Sequence, residues 1–149
     1  MRKWWALSLV ALAIIASATL FIWHGQSAGP TVKIGGSEFA VTIARTEAER
    51  QKGLSSTERL PDGSAMLFVF PSDAKWGIWM KDMRYAIDIL WLDADKKIVH
   101  LVHDARPDSY PETTFEPASD SRYVIELPSG TIKAAGLAKG MSATFASDS

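Results

Sequence analysis

Two hydrophobic regimes follow one another along the chain. Trp4 to Trp23 runs for 20 residues without a charge, behind the basic start Met1-Arg2-Lys3. As a helix rising about 1.5 Å per residue it would span roughly 30 Å, the thickness of a bilayer core. From Thr31 the period changes to two, the mark of strands with one buried face. Thr31-Val32-Lys33-Ile34 meets the turn signal Gly35-Gly36, and Glu38 to Ala44 then alternates, which predicts a hairpin. Thr46, with Glu49 three residues later and Gly53 at the exit, has the capping-box pattern of a short helix. Met66 to Phe70 is a continuous apolar run ended by Pro71, and it predicts a buried strand. Ala86 to Leu92 predicts another, turning at Asp93-Ala94-Asp95-Lys96 into a hairpin partner over Ile98 to Val102. Asp104 to Ser121 holds three prolines and few aliphatics, and a connection that long is functional or mobile. Tyr123 to Leu127 predicts a strand, Thr131 to Ala135 one helical turn, and Met141 to Phe145 a last strand.

These elements make the chain mainly β: a compact single domain, sandwich-like or barrel-like, with one or two short helices. The organisation read from the pattern is an N-terminal membrane segment (1–23), a Gly/Ser-rich linker (24–30) and a β-rich domain (31–149). Arg2 and Lys3 hold the N-terminus on the cytoplasmic side, and Trp4, Trp5 and Trp23 suit the two interfaces. Two readings compete for this segment. Ala16-Ser17-Ala18 fits a signal-peptide cleavage site, whereas Phe21-Ile22-Trp23, still apolar beyond it, favours an uncleaved anchor. The first gives a periplasmic or secreted protein. The second gives a single pass through the inner membrane, with residues 4–23 as the membrane contact. Either way the domain faces the periplasm or the exterior.

Composition narrows the chemistry. Without Arg2 and Lys3 the chain carries 14 bases against 17 acids, a net charge of −3. A nucleic-acid partner, which needs a basic face to displace counterions, is not expected. The chain contains no cysteine, which removes disulfides, thiolate catalysis and cysteine-based zinc sites. An exported domain must then hold together by burial, which the 47 % hydrophobic content permits.

The stretch from Trp76 to Leu92 concentrates the candidates, with three of the six tryptophans, Lys81, Asp82 and Asp88. Asp88 shares a strand face with Leu90 and Leu92 while Ile87, Ile89 and Trp91 cover the other, so it lies among apolar neighbours on either face. Such a carboxylate must be bonded, paired or protonated. Glu126, opposite in facing to Ile125, follows the same logic, and Arg50 is a plausible bidentate partner for a buried acid. Trp76 and Trp79 fall on opposite faces of an extended segment, so at most one reaches the core. An exposed tryptophan beside polar groups suits stacking on a sugar ring or packing a partner. His100 and His103 face opposite sides of their strand and do not form a two-histidine metal site. No nucleophile elbow, P-loop, dinucleotide fingerprint or HExxH motif is present. The sequence therefore assigns no catalytic residue, metal ligand or cofactor.

Arg50-Gln51-Lys52-Gly53-Leu54, Met66-Leu67-Phe68-Val69-Phe70, Trp79-Met80-Lys81-Asp82-Met83, Ile87-Asp88-Ile89-Leu90 and Val124-Ile125-Glu126-Leu127-Pro128-Ser129-Gly130 occur in that order. Together they resemble the bacterial and archaeal family known as domain of unknown function 192. The chain departs from its usual pattern at Ala65 (usually Gly) and at Asp82-Met83 (usually Asn-Thr). The resemblance implies a compact β-rich domain, often exported behind a signal or anchor, and no established activity. The leading expectation is a non-enzymatic binding or accessory module. Its ligand (a small molecule, an envelope glycan or an envelope protein) would meet Trp79, Lys81, Asp82, Asp88, Glu126 and Arg50, under a roof from the 104–121 loop. The alternative is a hydrolase using Asp88 and Glu126, with Asp82 as a third acid. A third reading makes Asp88, Glu126 and Arg50 a structural network.

Overall fold

The computed structural model describes residues 29–146. The 1–23 segment read as a signal or anchor lies outside them. Among the described residues no helix is long and apolar enough to cross a membrane.

Seven strands form one sheet: β1 (Thr31–Ile34), β2 (Ser37–Ala44), β3 (Ser64–Ala74), β4 (Ile87–Leu92), β5 (Ile98–Ala105), β6 (Ser121–Pro128) and β7 (Ala143–Thr144). Two short helices, α1 (Glu47–Lys52) and α2 (Thr131–Ala134), interrupt them, with a 3-10 turn at Pro107–Ser109. The order across the sheet is β5-β4-β6-β3-β2-β1-β7. It curls into a half-barrel. At one end its outer strands are tied together by a bridge between Lys97 and Ser142 and by the bond from Ile98 N–H to the Met141 carbonyl (2.8 Å). The mainly β expectation holds, with a single curled sheet in place of a sandwich.

All pairings are antiparallel except β2 with β3, whose register runs from Ala40 opposite Ser64 to Ala44 opposite Phe68. A parallel pair needs a crossover that passes over one face of the sheet. Residues 45–63 provide it, carrying α1. The sheet is therefore apolar on both sides. The concave side packs Val32, Ile34, Leu67, Leu90, Ile125 and Leu127 around Phe39 and Phe145. The convex side packs Met66, Phe68, Phe70, Ile89, Trp91 and Val124 beneath Leu54, Ile78 and Met80 of the covering segments. Burial on both sides explains why all six residues of β4 are buried and why it shows no alternation, whereas β1 and β2 alternate.

One strand boundary differs from the sequence reading, and one long connection is ordered, each for a visible reason. β3 continues through Pro71 to Ala74. Its pairing with β6 is irregular between Val69 and Ala74, so Pro71 withholds no ladder hydrogen bond there. The 104–121 connection is pinned by a two-bond bridge between Ile78 and Phe115 (2.9 and 2.8 Å). The close approach uses Gly77, where a Cβ would lie 2.7 Å from Thr114 Cγ2.

Asp88 fastens three elements on the concave side. The β4–β5 register shifts so that His103 and Asp104 together oppose Asp88, and Asp104 takes a left-handed φ of 51°. Asp88 Oδ1 accepts from the Asp104 N–H (2.9 Å), and Oδ2 accepts from the Ile132 N–H in the first turn of α2 (2.8 Å). Ser129 Oγ then donates to Asp104 Oδ1 (2.7 Å). With zero exposure and both oxygens engaged by backbone amides, Asp88 is a fastener of the fold. Asp88→Asn leaves one of these amides facing an NH2 group. It should lower stability by roughly 2–3 kcal/mol in urea unfolding at unchanged m. A loss under about 0.5 kcal/mol, the ordinary size of a surface substitution, would refute the fastening role.

Candidate functional site

On the convex side the crossover and the 76–83 segment do not meet edge to edge, and a cleft of about 460 Å³ lies between them. One wall is α1. Thr46 Oγ1 accepts from the Glu49 N–H and Glu49 Oε2 accepts from the Thr46 N–H, the reciprocal capping pair that the sequence pattern predicts. The Thr46 and Arg45 amides, together with the Thr46 hydroxyl, hold the Glu49 carboxyl below its ordinary range. α1 buries none of its own residues, so Glu47, Arg50, Gln51 and Lys52 are left to line the cleft. The chain leaves α1 at Gly53 with φ 47°, where a Cβ would press to 3.4 Å from Phe68 Cζ.

The opposite wall is aromatic. The Trp76 and Phe70 rings stack at 4.3 Å and 10°, and Phe68 lies 6.4 Å from Phe70. The Trp76 backbone carbonyl accepts from Trp91 Nε1–H (2.7 Å) and the Trp76 Nε1–H donates to the Ser72 carbonyl (3.0 Å), so one bond holds its backbone and the other its ring. Ile78 and Met83 continue the lining, and Trp79 stands at the rim with 48 % of its surface exposed. The turn that carries Lys81 and Asp82 docks through its backbone. The Lys81 carbonyl accepts from Ser55 Oγ (2.9 Å) and the Asp82 carbonyl from the Ser56 N–H (2.8 Å).

Glu126 is part of the lining. Its register places it between Met66 of β3 and Ile89 of β4, apolar neighbours on the same face. It is 5 % exposed, and among the described residues its Oε2 has no hydrogen-bond partner. Burial pushes its carboxyl up to about 8, so it is a neutral acid at pH 7. Tyr85, bonded through its hydroxyl to Thr57 Oγ1 (2.6 Å), is itself raised, first by burial and in part by the nearby Glu126.

Arg50 does not pair with either buried acid. Its Nη1 donates to the Arg45 carbonyl and to the Val69 carbonyl (3.0 Å), where the β3–β6 ladder breaks, and its guanidinium lies 5.3 Å from the Phe70 ring centre. Asp88 and Glu126 are separated more decisively. Asp88 sits opposite Leu127 and Glu126 opposite Ile89, so adjacent strand positions send the two carboxyls to opposite faces of one sheet. They share no cleft, and neither a two-carboxylate mechanism nor a network joining them with Arg50 has a geometric basis. Of the sequence candidates, the fold brings Arg50, Trp79 and Glu126 together. It leaves Lys81 and Asp82 exposed outside the lining, and no residue of 104–121 roofs the cleft. The sequence reading missed Phe68 and Phe70 as lining residues. Their only signal was an apolar run that a core strand explains equally well.

The raised Glu126 carboxyl is a statement about stability. Protonation favours the folded state, so this contribution is complete below the ordinary carboxyl range and is lost as pH rises toward about 8. Glu126→Gln, neutral at every pH, should therefore be more stable than the parent at pH 7 by roughly 3 kcal/mol. The difference should vanish near pH 4, as read by urea unfolding at both values. Equal stability at both would show that Glu126 is not buried as an uncompensated acid.

Comparison with known proteins agrees with this fold. The described domain superposes on a protein of unknown function from Novosphingobium aromaticivorans DSM 12444 with a TM-score of 0.72 at 26 % identity, covering 81 % of this chain and 89 % of that one. A putative transcription regulator from Sinorhizobium meliloti 1021 gives 0.73 at 24 % identity over 81 % and 98 %, a likeness of fold alone. Among curated sequences, a UPF0127 protein of Thermococcus sibiricus is 33 % identical over 94 residues, 62 % of this chain and 56 % of that protein. A UPF0127 protein of Thermococcus gammatolerans is 27 % identical over 121 residues, 80 % of this chain and 65 % of that protein. The matches thus span somewhat under two thirds of both relatives. Residues 30–145 match the family described as DUF192, uncharacterised ACR, and the chain belongs to that family.

Proposed function

We propose that this domain is a non-enzymatic binding module that takes a small, flat-faced ligand in the convex cleft, and that it works on the outer side of the cytoplasmic membrane. The observation that carries the binding reading is the pairing, in one cavity, of an aromatic wall with a buried carboxyl, one oxygen of which has no partner among the described residues. An orphaned polar group in an apolar setting costs the fold free energy, and a ligand that bonds it recovers that cost on binding. The cavity volume falls within the range of small-molecule sites, and its mixture of apolar walls and few polar groups is their usual composition. Trp79 at the rim offers the stacking surface that the pyranose ring of an envelope glycan uses. The location rests on the sequence of residues 1–23, with its basic start and 20-residue uncharged run.

Titration of the purified full-length protein with peptidoglycan fragments, other glycans and flat aromatic compounds should change its tryptophan fluorescence. Trp79→Ala should weaken the response about tenfold or more while shifting stability by no more than about 0.5 kcal/mol, since the ring is half exposed. An unchanged spectrum across the panel removes the binding reading. The location has its own test. A C-terminal alkaline phosphatase fusion should be active, and its recovery with membranes rather than in the periplasmic extract marks an uncleaved anchor. An inactive fusion sinks the outward-facing reading.

A further inference from the structure

The polar groups of the cleft are mostly donors. Arg50 spends Nη1 on two backbone carbonyls, and its Nε and Nη2 bond no other described residue. Lys52 adds a second positive charge to the lining. The acidic Glu47 is engaged by Gln51 Nε2 (3.1 Å). Glu126, as a neutral acid, offers an O–H and no counter-charge. The lining therefore holds two cations against one anion, and its one buried polar side chain is a carboxylic acid. An amine ligand would have to ionise Glu126 inside an apolar cluster. It would also find Phe70, one of the few rings available to a cation, already in contact with the Arg50 guanidinium and stacked on Trp76.

Resting on the binding reading above, we propose that the ligand is a flat-ringed molecule carrying a carboxylate. One carboxylate oxygen accepts the O–H of Glu126, while Arg50 supplies the opposing charge across the cleft. Aromatic acids and acidic sugars share this chemistry. Binding then holds a proton on Glu126. The other ionisable groups of the lining are Glu47, Arg50 and Lys52 of α1; the half-buried Tyr85 nearby is raised above its ordinary value, and the strand neighbours Met66, Ile89 and Val124 carry no ionisable group. The site is proton-locked: the same ligand is held at neutral pH and released in alkali.

The test is calorimetric titration of the full-length protein with 2-naphthoate, N-acetylmuramate and 2-naphthylmethylamine. At least one of the two acids should bind at about pH 6.5 and weaken about thirtyfold by about pH 9.5, the fraction of Glu126 still protonated above a value of about 8. Which acid binds identifies the source of the ligand chemistry. Glu126→Gln keeps a donor at the same place and should bind that acid equally well at both pH values. Binding of the amine alone, rising between about pH 6.5 and 8.5, would overturn the proposal and leave the binding reading intact. Acid binding that is independent of pH in the parent protein would overturn it as well, since Glu126 would then not touch the ligand. Failure of all three probes also overturns it. The fluorescence panel then decides whether the cleft binds anything.

Discussion

A parallel strand pair cannot be closed by a hairpin, and the pairing of β2 with β3 is the constraint on which the rest of this molecule depends. The chain between them must cross one face of the sheet, and it carries α1 with it. The apolar residues on that face of β3, β4 and β6 are thereby buried under loops, while the opposite face closes on itself as a half-barrel. Without the crossover, Met66, Phe68 and Phe70 would lose the part of their cover that Leu54 and Leu60 supply. The cleft is a by-product of this arrangement. A six-residue helix and a turn-rich segment cover the sheet less completely than a second sheet would, and the gap between them falls over Glu126.

The two buried acids illustrate how neighbouring positions in one strand pair acquire opposite characters. Asp88 faces the concave side and finds two backbone amides, one freed by a bulge and one at the start of a helix. Hydrogen bonds of that kind hold a carboxyl group in place and tie distant segments together. Glu126 faces the convex side between Met66 and Ile89, neither of which carries a donor, so desolvation dominates and the acid stays neutral. The first acid fastens the fold and the second strains it. A group that raises the free energy of the native state, and that opens into a cavity rather than into packed core, is where a binding partner gains most.

Much of the secondary structure was legible because it rests on local rules. The Gly35-Gly36 turn, the Thr46–Glu49 capping pair and the apolar runs of β3, β4 and β6 each report interactions between residues close in sequence. The facing of Asp88 and Glu126 was also legible, since the side-chain period of a strand is two. That period put Asp88 with Leu90 and Leu92, and Glu126 opposite to Ile125, as found. The ordered motifs placed the chain in its family. What period alone could not show was whether the faces of two separate strands coincide. That depends on register, and a shift of one residue would have brought the two acids to the same side.

The sequence by itself determined a β-rich domain of short strands, one capped short helix and one further helical turn, the family, and a set of acids and aromatics that needed explaining. Those properties follow from steric and hydrophobic periodicity within a few residues of each position. Only the tertiary structure decided that Asp88 is satisfied and Glu126 is not. It also decided that Arg50 serves backbone carbonyls and an aromatic ring rather than an acid, and that Phe68, Phe70 and Trp76 join Trp79 around one cavity. Each of those outcomes is set by partners far apart in the chain, whose meeting is fixed by strand order and register and leaves no local trace.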